Sequence, residues 1–542
     1  MFSQLFLTLT IFCVSIGLQL VNCANLWPQP QILRQDATFF TLDPSSFKLI
    51  LAEERSGCEI LEKAIDRYSK LLFLSDCSRL GNDCDGKKLP IEPIEDITNE
   101  ANYGGQLFNL SIDTNSCEKF ITSESFEIYT LRVKTADYPT DAALFAPFWG
   151  ILRGLETFSQ LIRRYKGNWI INSTFIVDYP RFTFRGILLD TARHYLPVHL
   201  LLQNLDAMAY NKMNVFHWHI VDDQSFPFVS STFPQLSAAG AFRPTHIYTP
   251  EDVSTVLEYA RLRGIRVIVE FDSPGHTLAW GKGIPGLLTQ CYNAGKPVSG
   301  SYGPINPSQN DTYTFLKSLF AEIAKVFPDD FVHLGGDEVD FSCWKSNPSI
   351  NSFMESMNIT GNYAALESFY LQKLVNIMDT LKKNYIVWQE VFDNGVKLRS
   401  DAVVHVWKSG DYQSELSKVV AGGYRTILSS PWYLNYISYG SDWQTYYKVE
   451  PLNFNVTSSS DYDLVIGGEA CMWGEWVDGS NVISRTWVRA SAVAERLWSA
   501  KNVTSIKSAI PRLDDQRCRM LKRGIRVEPV QGPGSCECDI CV

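Results

Sequence analysis

Asp337 and Glu338 stand side by side in His-Leu-Gly-Gly-Asp-Glu-Val-Asp, His333 to Asp340, at the end of a short apolar run of Phe331, Val332 and Leu334. The run reads as a buried strand that stops at two glycines. Burying unpaired carboxylates is costly, so a core strand ending in two acids points to a site rather than to packing. The chemistry that fits is acid/base work on an ether-like or ester-like bond.

Other groups able to do or assist such chemistry follow strand-length apolar runs elsewhere in the chain. The runs begin at Arg185, Val215, Arg266, Phe331, Tyr385, Val403, Arg425 and Leu464. Continuous apolar runs suit parallel strands covered on both faces, and eight of them predict an α/β chain with a (β/α)8 barrel. The connection from Glu390 to Val403 is short for a full helical layer. Barrel enzymes carry their chemistry at the C-terminal strand ends. Asp190, Asp222, Asp272, His276, Asp337, Glu338, Trp388, Trp407, Trp432, Tyr433 and Glu475 all fall at or just past those ends. Glu469 and Glu475, on either side of Trp473, read as a polar clamp beside an aromatic platform.

Residues 24–178 precede the barrel and read as a smaller α+β domain. Leu61 to Phe73 has helical spacing, Phe126 to Val133 alternates like a strand, and Ala142 to Tyr165 reads as a second helix. The Asp178-Tyr179-Pro180-Arg181 turn marks the seam, with 179–542 forming the barrel and a disulfide-tied tail.

Blander readings compete at several positions. His217 and His219 share one face of a strand, as metal-binding pairs do in amidohydrolase barrels. There the pair lies on the first strand with a lysine later; here it lies on the second, and His276, His333 and His405 follow without that lysine. Structural histidines are therefore the expectation, with no metal and no cofactor. Asp222-Asp223 also suits a helix cap, and Phe271 to His276 a Pro-Gly turn.

Composition narrows the class. The 542 residues are 45% hydrophobic and 20% charged, as in a folded domain pair, and 14 Trp hint at flat sugar-binding faces. A net charge of −10 argues against a nucleic-acid or anionic-membrane surface. Residues 1–23 resemble a cleaved secretory signal, with an uncleaved anchor as the alternative because no Lys or Arg precedes the apolar stretch, and no later stretch is long and apolar enough to span a bilayer. Thirteen cysteines on that route predict disulfides, and the odd remainder outside the signal leaves one thiol, best placed at buried Cys471. Cys536, Cys538 and Cys541 read as a tied tail rather than a zinc knuckle. Sequons stand at Asn109, Asn172, Asn310, Asn358, Asn455 and Asn502.

The segments 185–195, 217–223, 270–276, 333–339, 431–435 and 467–475 together resemble the β-N-acetylhexosaminidases of glycoside hydrolase family 20, animal lysosomal type, across essentially the whole mature chain. The resemblance implies exo-hydrolysis of terminal GlcNAc or GalNAc with retention, the 2-acetamido oxygen attacking to form an oxazolinium. It implies Glu338 as acid then base, Asp337 on the acetamido N–H, and Tyr433 on its oxygen. Arg185 and Glu475 would bind sugar hydroxyls, with Asn435 nearby. Trp388, Trp407 and Trp473 would wall the acetamido pocket, and Asp222 and His276 would support the acid. Cys58–Cys117 and Cys291–Cys343 resemble family disulfides. Cys77–Cys84 is a local expectation, and which tail cysteine Cys518 takes, Cys536 among them, stays open. A homodimer and a lysosomal or extracellular destination are also implied. Tyr436 stands where the subunit type that takes anionic glycolipids has arginine, so neutral substrates are the expectation. The competing classes are a non-catalytic sugar binder, an endo-acting chitinase and a metal amidohydrolase.

Overall fold

The structure, a computed structural model, describes residues 25–53, 57–74, 93–408 and 410–541. The expected signal and the Cys77–Cys84 pair lie outside them.

The first unit is a mixed sheet. Its strands are β1 (Ile32–Leu42), β2 (Lys48–Leu51), β3 (Tyr103–Gln106), β4 (Asn109–Asp113), β5 (Tyr129–Thr135), β6 (Tyr138–Phe145), β7 (Arg163–Tyr165) and β8 (Asn168–Asp178). They run in the order β2-β4-β6-β5-β8-β1-β3, with β7 paired to β8. Helix α1 (Glu59–Leu71) buries one face, and helix α2 (Phe148–Leu161) is buried all round. The helix expected from Ala142 is shorter at both ends. Ala142 to Phe145 instead pairs with β4 and β5, and α2 starts only after Pro147, whose fixed φ suits a helix start.

The barrel is closed by β9 (Phe184–Asp190), β10 (Val215–His219), β11 (Arg266–Glu270), β14 (Phe331–His333), β15 (Asn384–Trp388), β16 (Val403–Val406), β17 (Arg425–Leu428) and β18 (Val465–Met472). All neighbouring pairs are parallel, as the eight apolar runs predict. A hairpin, β12 (Leu288–Asn293) and β13 (Lys296–Ile305), interrupts the connection from β11 to β14. Between β15 and β16 the only helix is Gln389–Asp393, which accounts for the short connection.

Three layers fill the barrel. At the N-terminal end Phe184, Val215, Ile268, Phe331, Ile386, Val403 and Ile427, backed by Ile466, give one apolar side chain per strand. This plug seals the bottom, as interdigitated layers do in such barrels. Above it lie His217, Glu270, His333, His405 and Glu469, all buried. Above those, Leu188, Trp388, Tyr433, Cys471 and Trp473, with half-buried Trp407, form an aromatic floor under the mouth.

The sheet unit docks on the sealed end, not on the mouth. Glu127, before β5, takes both Arg153 and Arg185, and Lys212 reaches Asp178 at 2.7 Å. Trp27 donates its indole N–H to Ser491, so the start of the described chain packs against the barrel's last helices. Disulfides join Cys58 to Cys117, Cys291 to Cys343 and Cys518 to Cys536, and Cys471 is free and buried. No helix among the described residues is long and apolar enough to cross a membrane.

Candidate active site

The turn after β14 sets the two acids. Gly335 and Gly336 both have positive φ, +67° and +94°, and a Cβ on Gly335 would meet Asp272 Oδ1 at 1.6 Å. Only glycine fits that approach. The Gly336 N–H then donates to Asp272 Oδ1 at 2.8 Å, and the Trp388 N–H donates to the Gly335 carbonyl at 3.0 Å. The result divides the adjacent carboxyls. Asp337 turns inward, its side chain 10% exposed, whereas Glu338 faces the mouth at 58%, on a backbone with φ +50°. A non-glycine residue held in that region at a site is a mark of an over-determined local structure. Cys343, five residues on, is tied to the hairpin through Cys291, which anchors the stretch that follows.

His276 faces both acids. Its Nε2 lies 3.7 Å from Asp337 Oδ2, 3.8 Å from Glu338 Oε2 and 3.9 Å from Asp272 Oδ2, while Nδ1 donates to Asp222 Oδ1 at 3.2 Å. Burial alone would lower its pKa, but the charges of Asp337, Asp272 and Asp222 outweigh it and push it up to about 11. His276 is therefore an imidazolium beside the acids. Asp272 goes the other way: burial, then the Asp337 charge, push it well above the usual carboxylate range. Asp272 thus favours its neutral form beside Asp337. Asp337 Oδ1 is buried with no hydrogen-bond partner, an acceptor aimed at a donor from the mouth.

The aromatic floor is held by acids. Trp388 donates its indole N–H to Glu270 at 2.8 Å, and Trp407 donates to Glu390 at 2.8 Å. Lys408 reaches Glu390 at 3.0 Å. Tyr433 stacks on Trp407 at 6.2 Å and lies 6.3 Å from Trp473; Trp388 is 6.1 Å from Trp473. Burial raises the Tyr433 pKa well above the ordinary value, so the phenol stays a donor. Asn435 is half-buried with Oδ1 unpartnered, and Glu475 is exposed at the rim.

Three sequence expectations need correction. Arg185 is not in the mouth. It sits near the start of β9, fully buried, with Nη2 at 2.7 Å from both Glu127 oxygens and its other nitrogens on the Lys212 and Phe182 carbonyls. The arginine at the mouth is Arg193, past the end of β9. It pairs with Asp190 at 3.0 Å and Asp222 at 2.9 Å, lies over Trp473 at 5.1 Å, and feels the charge of Glu475. Glu469 is no rim clamp either: it is buried in the charged layer, 2.8 Å from His217 Nδ1. Asn172 is unsuited to carry a glycan, because its side chain is buried, taking Arg163 and giving to Asp36 O. Asn310, Asn358, Asn455 and Asn502 are exposed, and Asn109 is half-buried. Asp190 and Asp272 do lie at the strand ends as expected, whereas Glu270 and Glu390 hold the aromatic floor and were assigned nothing by the sequence.

Two acid-rich corners, Asp222–Asp223–His276 and Asp272–His276–Asp337, have the donor count for a cation. Arg193 and the His276 imidazolium already neutralise them. His217, His333 and His405 also bring ring nitrogens within 4.8 Å. His217 is held between Glu469 and Glu270, which push its pKa up to about 9, and a doubly protonated ring has no lone pair to give an ion.

Comparisons with known proteins show the family and the fold. Residues 182–501 match the catalytic domain of glycosyl hydrolase family 20, and residues 26–161 match a domain described as beta-acetyl hexosaminidase like. The chain belongs to glycosyl hydrolase family 20. It is 50% identical to beta-hexosaminidase subunit alpha of Rattus norvegicus over 522 residues, covering 94% of this chain and 95% of that one. It is 50% identical to subunit beta of Homo sapiens over 510 residues, 93% and 88% of the two chains. Among solved structures, the Flavobacterium johnsoniae chitobiase superposes with a TM-score of 0.76 at 28% identity, over 93% of this chain and 73% of that chain. The family 20 chain is thus a glycoside hydrolase by sequence and by fold.

Proposed function

We propose that this chain removes non-reducing terminal β-linked GlcNAc or GalNAc with retention, the substrate's own acetamido group acting as nucleophile. The observation that carries the proposal is the division of labour between two adjacent carboxyls. Retaining glycosidases of the ordinary kind hold acid and nucleophile about 5 Å apart on opposite sides of the bond, and family 20 is a recognised exception. Asp337 and Glu338 are chain neighbours, one turned in beside Asp272 and one turned out, which does not suit that opposed geometry. In the proposed reaction the acetamido oxygen attacks the anomeric carbon, giving an oxazolinium. Glu338 protonates the departing oxygen and then takes the proton of the incoming water. Asp337 Oδ1 accepts the acetamido N–H and stabilises the positive charge growing there, and Tyr433 aligns the oxygen for attack. Trp388, Trp407 and Trp473 wall the N-acetyl arm, while Arg193 and Glu475 hold ring hydroxyls.

A homodimer on the secretory route, lysosomal or extracellular, goes with the proposal. Exposed Tyr436, Ile437, Tyr439 and Trp476 near the mouth support a covered face. The test of function is turnover of chromogenic GlcNAc and GalNAc glycosides beside the matching glucoside, with the product anomer followed by NMR. Release of the β-anomer from the N-acetyl substrates alone is expected. Equal turnover of the glucoside, or an inverted product, would overturn the proposal.

A further inference from the structure

The charged layer under the aromatic floor has no part in the reaction just proposed, yet its members form a continuous series that ends at the catalytic acids. Glu469 Oε1 is 2.8 Å from His217 Nδ1, and His217 Nε2 is 3.1 Å from Glu270 Oε2. His219 Nδ1 is 2.6 Å from the same Glu270 oxygen, and His219 Nε2 is 2.7 Å from Asp222 Oδ2. Asp222 Oδ1 then takes His276 Nδ1, and His276 Nε2 faces Asp337 and Glu338. A neutral imidazole offers one donor and one acceptor. Each of these three histidines instead faces carboxylates from both nitrogens: His219 is hydrogen-bonded through both, and His217 and His276 through Nδ1 with Nε2 held at ion-pair distance, an environment that favours the doubly protonated ring. The series alternates in charge from the centre of the barrel to its mouth.

Glu270 is the branch point. Its Oε1 accepts the Trp388 indole N–H at 2.8 Å and lies 3.1 Å from His333 Nδ1. One fully buried carboxylate thereby touches the wall of the N-acetyl pocket and, through His219 and Asp222, the imidazolium beside the acids. We propose that Glu270 is a positioning residue for the reaction, fixing Trp388 and the charged state of His219, and through Asp222 the placement of His276. This inference rests on the proposed function.

The surroundings support it. Burial lowers the pKa of His219, but Glu270 and the Asp222 hydrogen bond raise it to about 10; His217, between Glu469 and Glu270, reaches about 9. The groups facing Glu270 are His217 and His219 on β10, Asp272 after β11, His333 on β14, Trp388 on β15, His405 on β16 and Cys471 on β18, with Glu469 behind His217. Those facing His276 are Arg193 after β9, Asp222 and Asp223 after β10, Asp272 after β11, and Asp337 and Glu338 after β14. Burial holds His333 and His405 below the ordinary histidine range, so they remain neutral. Glu270 is the acid that both His217 and His219 share.

The test is the pH profile of kcat, with KM, for Glu270→Gln and Glu270→Asp beside the wild-type chain on the chromogenic GlcNAc glycoside. Glutamine keeps the shape and can still accept from Trp388, but it takes one carboxylate from His219. The expected result is a fall of about 10- to 100-fold in kcat, of the order a misplaced site suffers, with a new ionisation between pH 5 and 8 that the wild type lacks. Aspartate keeps the charge, so its profile should keep the wild-type shape at reduced kcat, with KM raised as Trp388 loosens. Should Glu270→Gln fail to fold, His219→Gln cuts the same link while leaving Trp388 on Glu270; a fall in kcat with KM near the wild-type value is then expected, and an unchanged kcat, or a KM that rises as kcat falls, overturns the inference. A folded Glu270→Gln chain with a wild-type profile shape, with or without a uniform loss of rate, overturns the inference. A wild-type chain indifferent to the N-acetyl arm would sink the proposed function itself, a distinct outcome in the same assay.

Discussion

Replacing Arg185 and Arg193 by Gln, one at a time, separates a fold arginine from a site arginine eight residues away. Arg185 has no exposure, and both its Nη2 contacts are to Glu127, itself buried. Removing one partner of such a pair costs about 3–5 kcal/mol. The lower end applies here, because Arg153 Nε at 2.7 Å and Asn214 Nδ2 at 3.1 Å remain on Glu127. Arg185→Gln should therefore lower Tm by several degrees and leave kcat/KM per folded molecule within about twofold, since the contact lies at the sealed end of the barrel. Arg193 stands at the mouth over Trp473, between Asp190 and Asp222. A charge-assisted hydrogen bond to a substrate hydroxyl is worth about 1.5–3 kcal/mol, so Arg193→Gln should cost about 10- to 150-fold in kcat/KM. The measurements are melting by circular dichroism and steady-state kinetics on the same preparations. A chain that keeps its Tm but loses turnover on Arg185→Gln, while Arg193→Gln turns over normally, refutes the assignment.

Other consequences follow from the same geometry. Asp337→Asn should cut kcat by about 100-fold or more with a smaller change in KM, because an amide cannot offset charge growing on the acetamido nitrogen; equal kcat would remove Asp337 from the mechanism. Glu390→Gln exchanges the charged acceptor of Trp407 for a neutral one, and a rise in KM of about tenfold is expected in an N-acetyl substrate titration. Stability should favour acid. His217, His219 and His276 have folded pKa values raised to about 9, 10 and 11, so their contribution is complete below the unfolded value of 6.5 and is lost as pH rises through the folded values. Raised Asp272 acts in the same direction from a lower pH. Tm should fall steadily from pH 6.5 to 9, the unfolding free energy dropping by up to about 1.4 kcal/mol per pH unit for each histidine; a Tm that climbs over that window would contradict the charged layer.

Much of this was legible in the residues. Runs such as Gly186 to Asp190 and Arg266 to Glu270 are buried on both faces, so their lack of alternation marked parallel strands directly. The paired acids after Gly335-Gly336 were visible for the same reason: nothing in a core strand explains them. The position of Arg185 follows from strand rise, which the motif resemblance does not take into account. Strands rise about 3.3 Å per residue, so the second residue of β9 lies at the sealed end and only an arginine past Asp190 can reach the mouth. Glu469 and Glu475 flank one tryptophan in sequence, but six residues of β18 and its exit carry them to different layers. Asn172 shows a pattern that says nothing of burial. Glu270 and Glu390 were hidden because their partners, His219 with Trp388 in one case and Trp407 with Lys408 in the other, come from other strands.

The most direct measurement is the rate on GlcNAc glycosides whose N-acetyl methyl carries no, one, two or three fluorine atoms. Fluorine withdraws electrons from the carbonyl oxygen while scarcely altering its size. If that oxygen attacks the anomeric carbon, kcat/KM should drop steeply at each step, by orders of magnitude across the series. A flat series would mean that the nucleophile comes from elsewhere, and that the pairing of Asp337 with the N-acetyl arm is wrong.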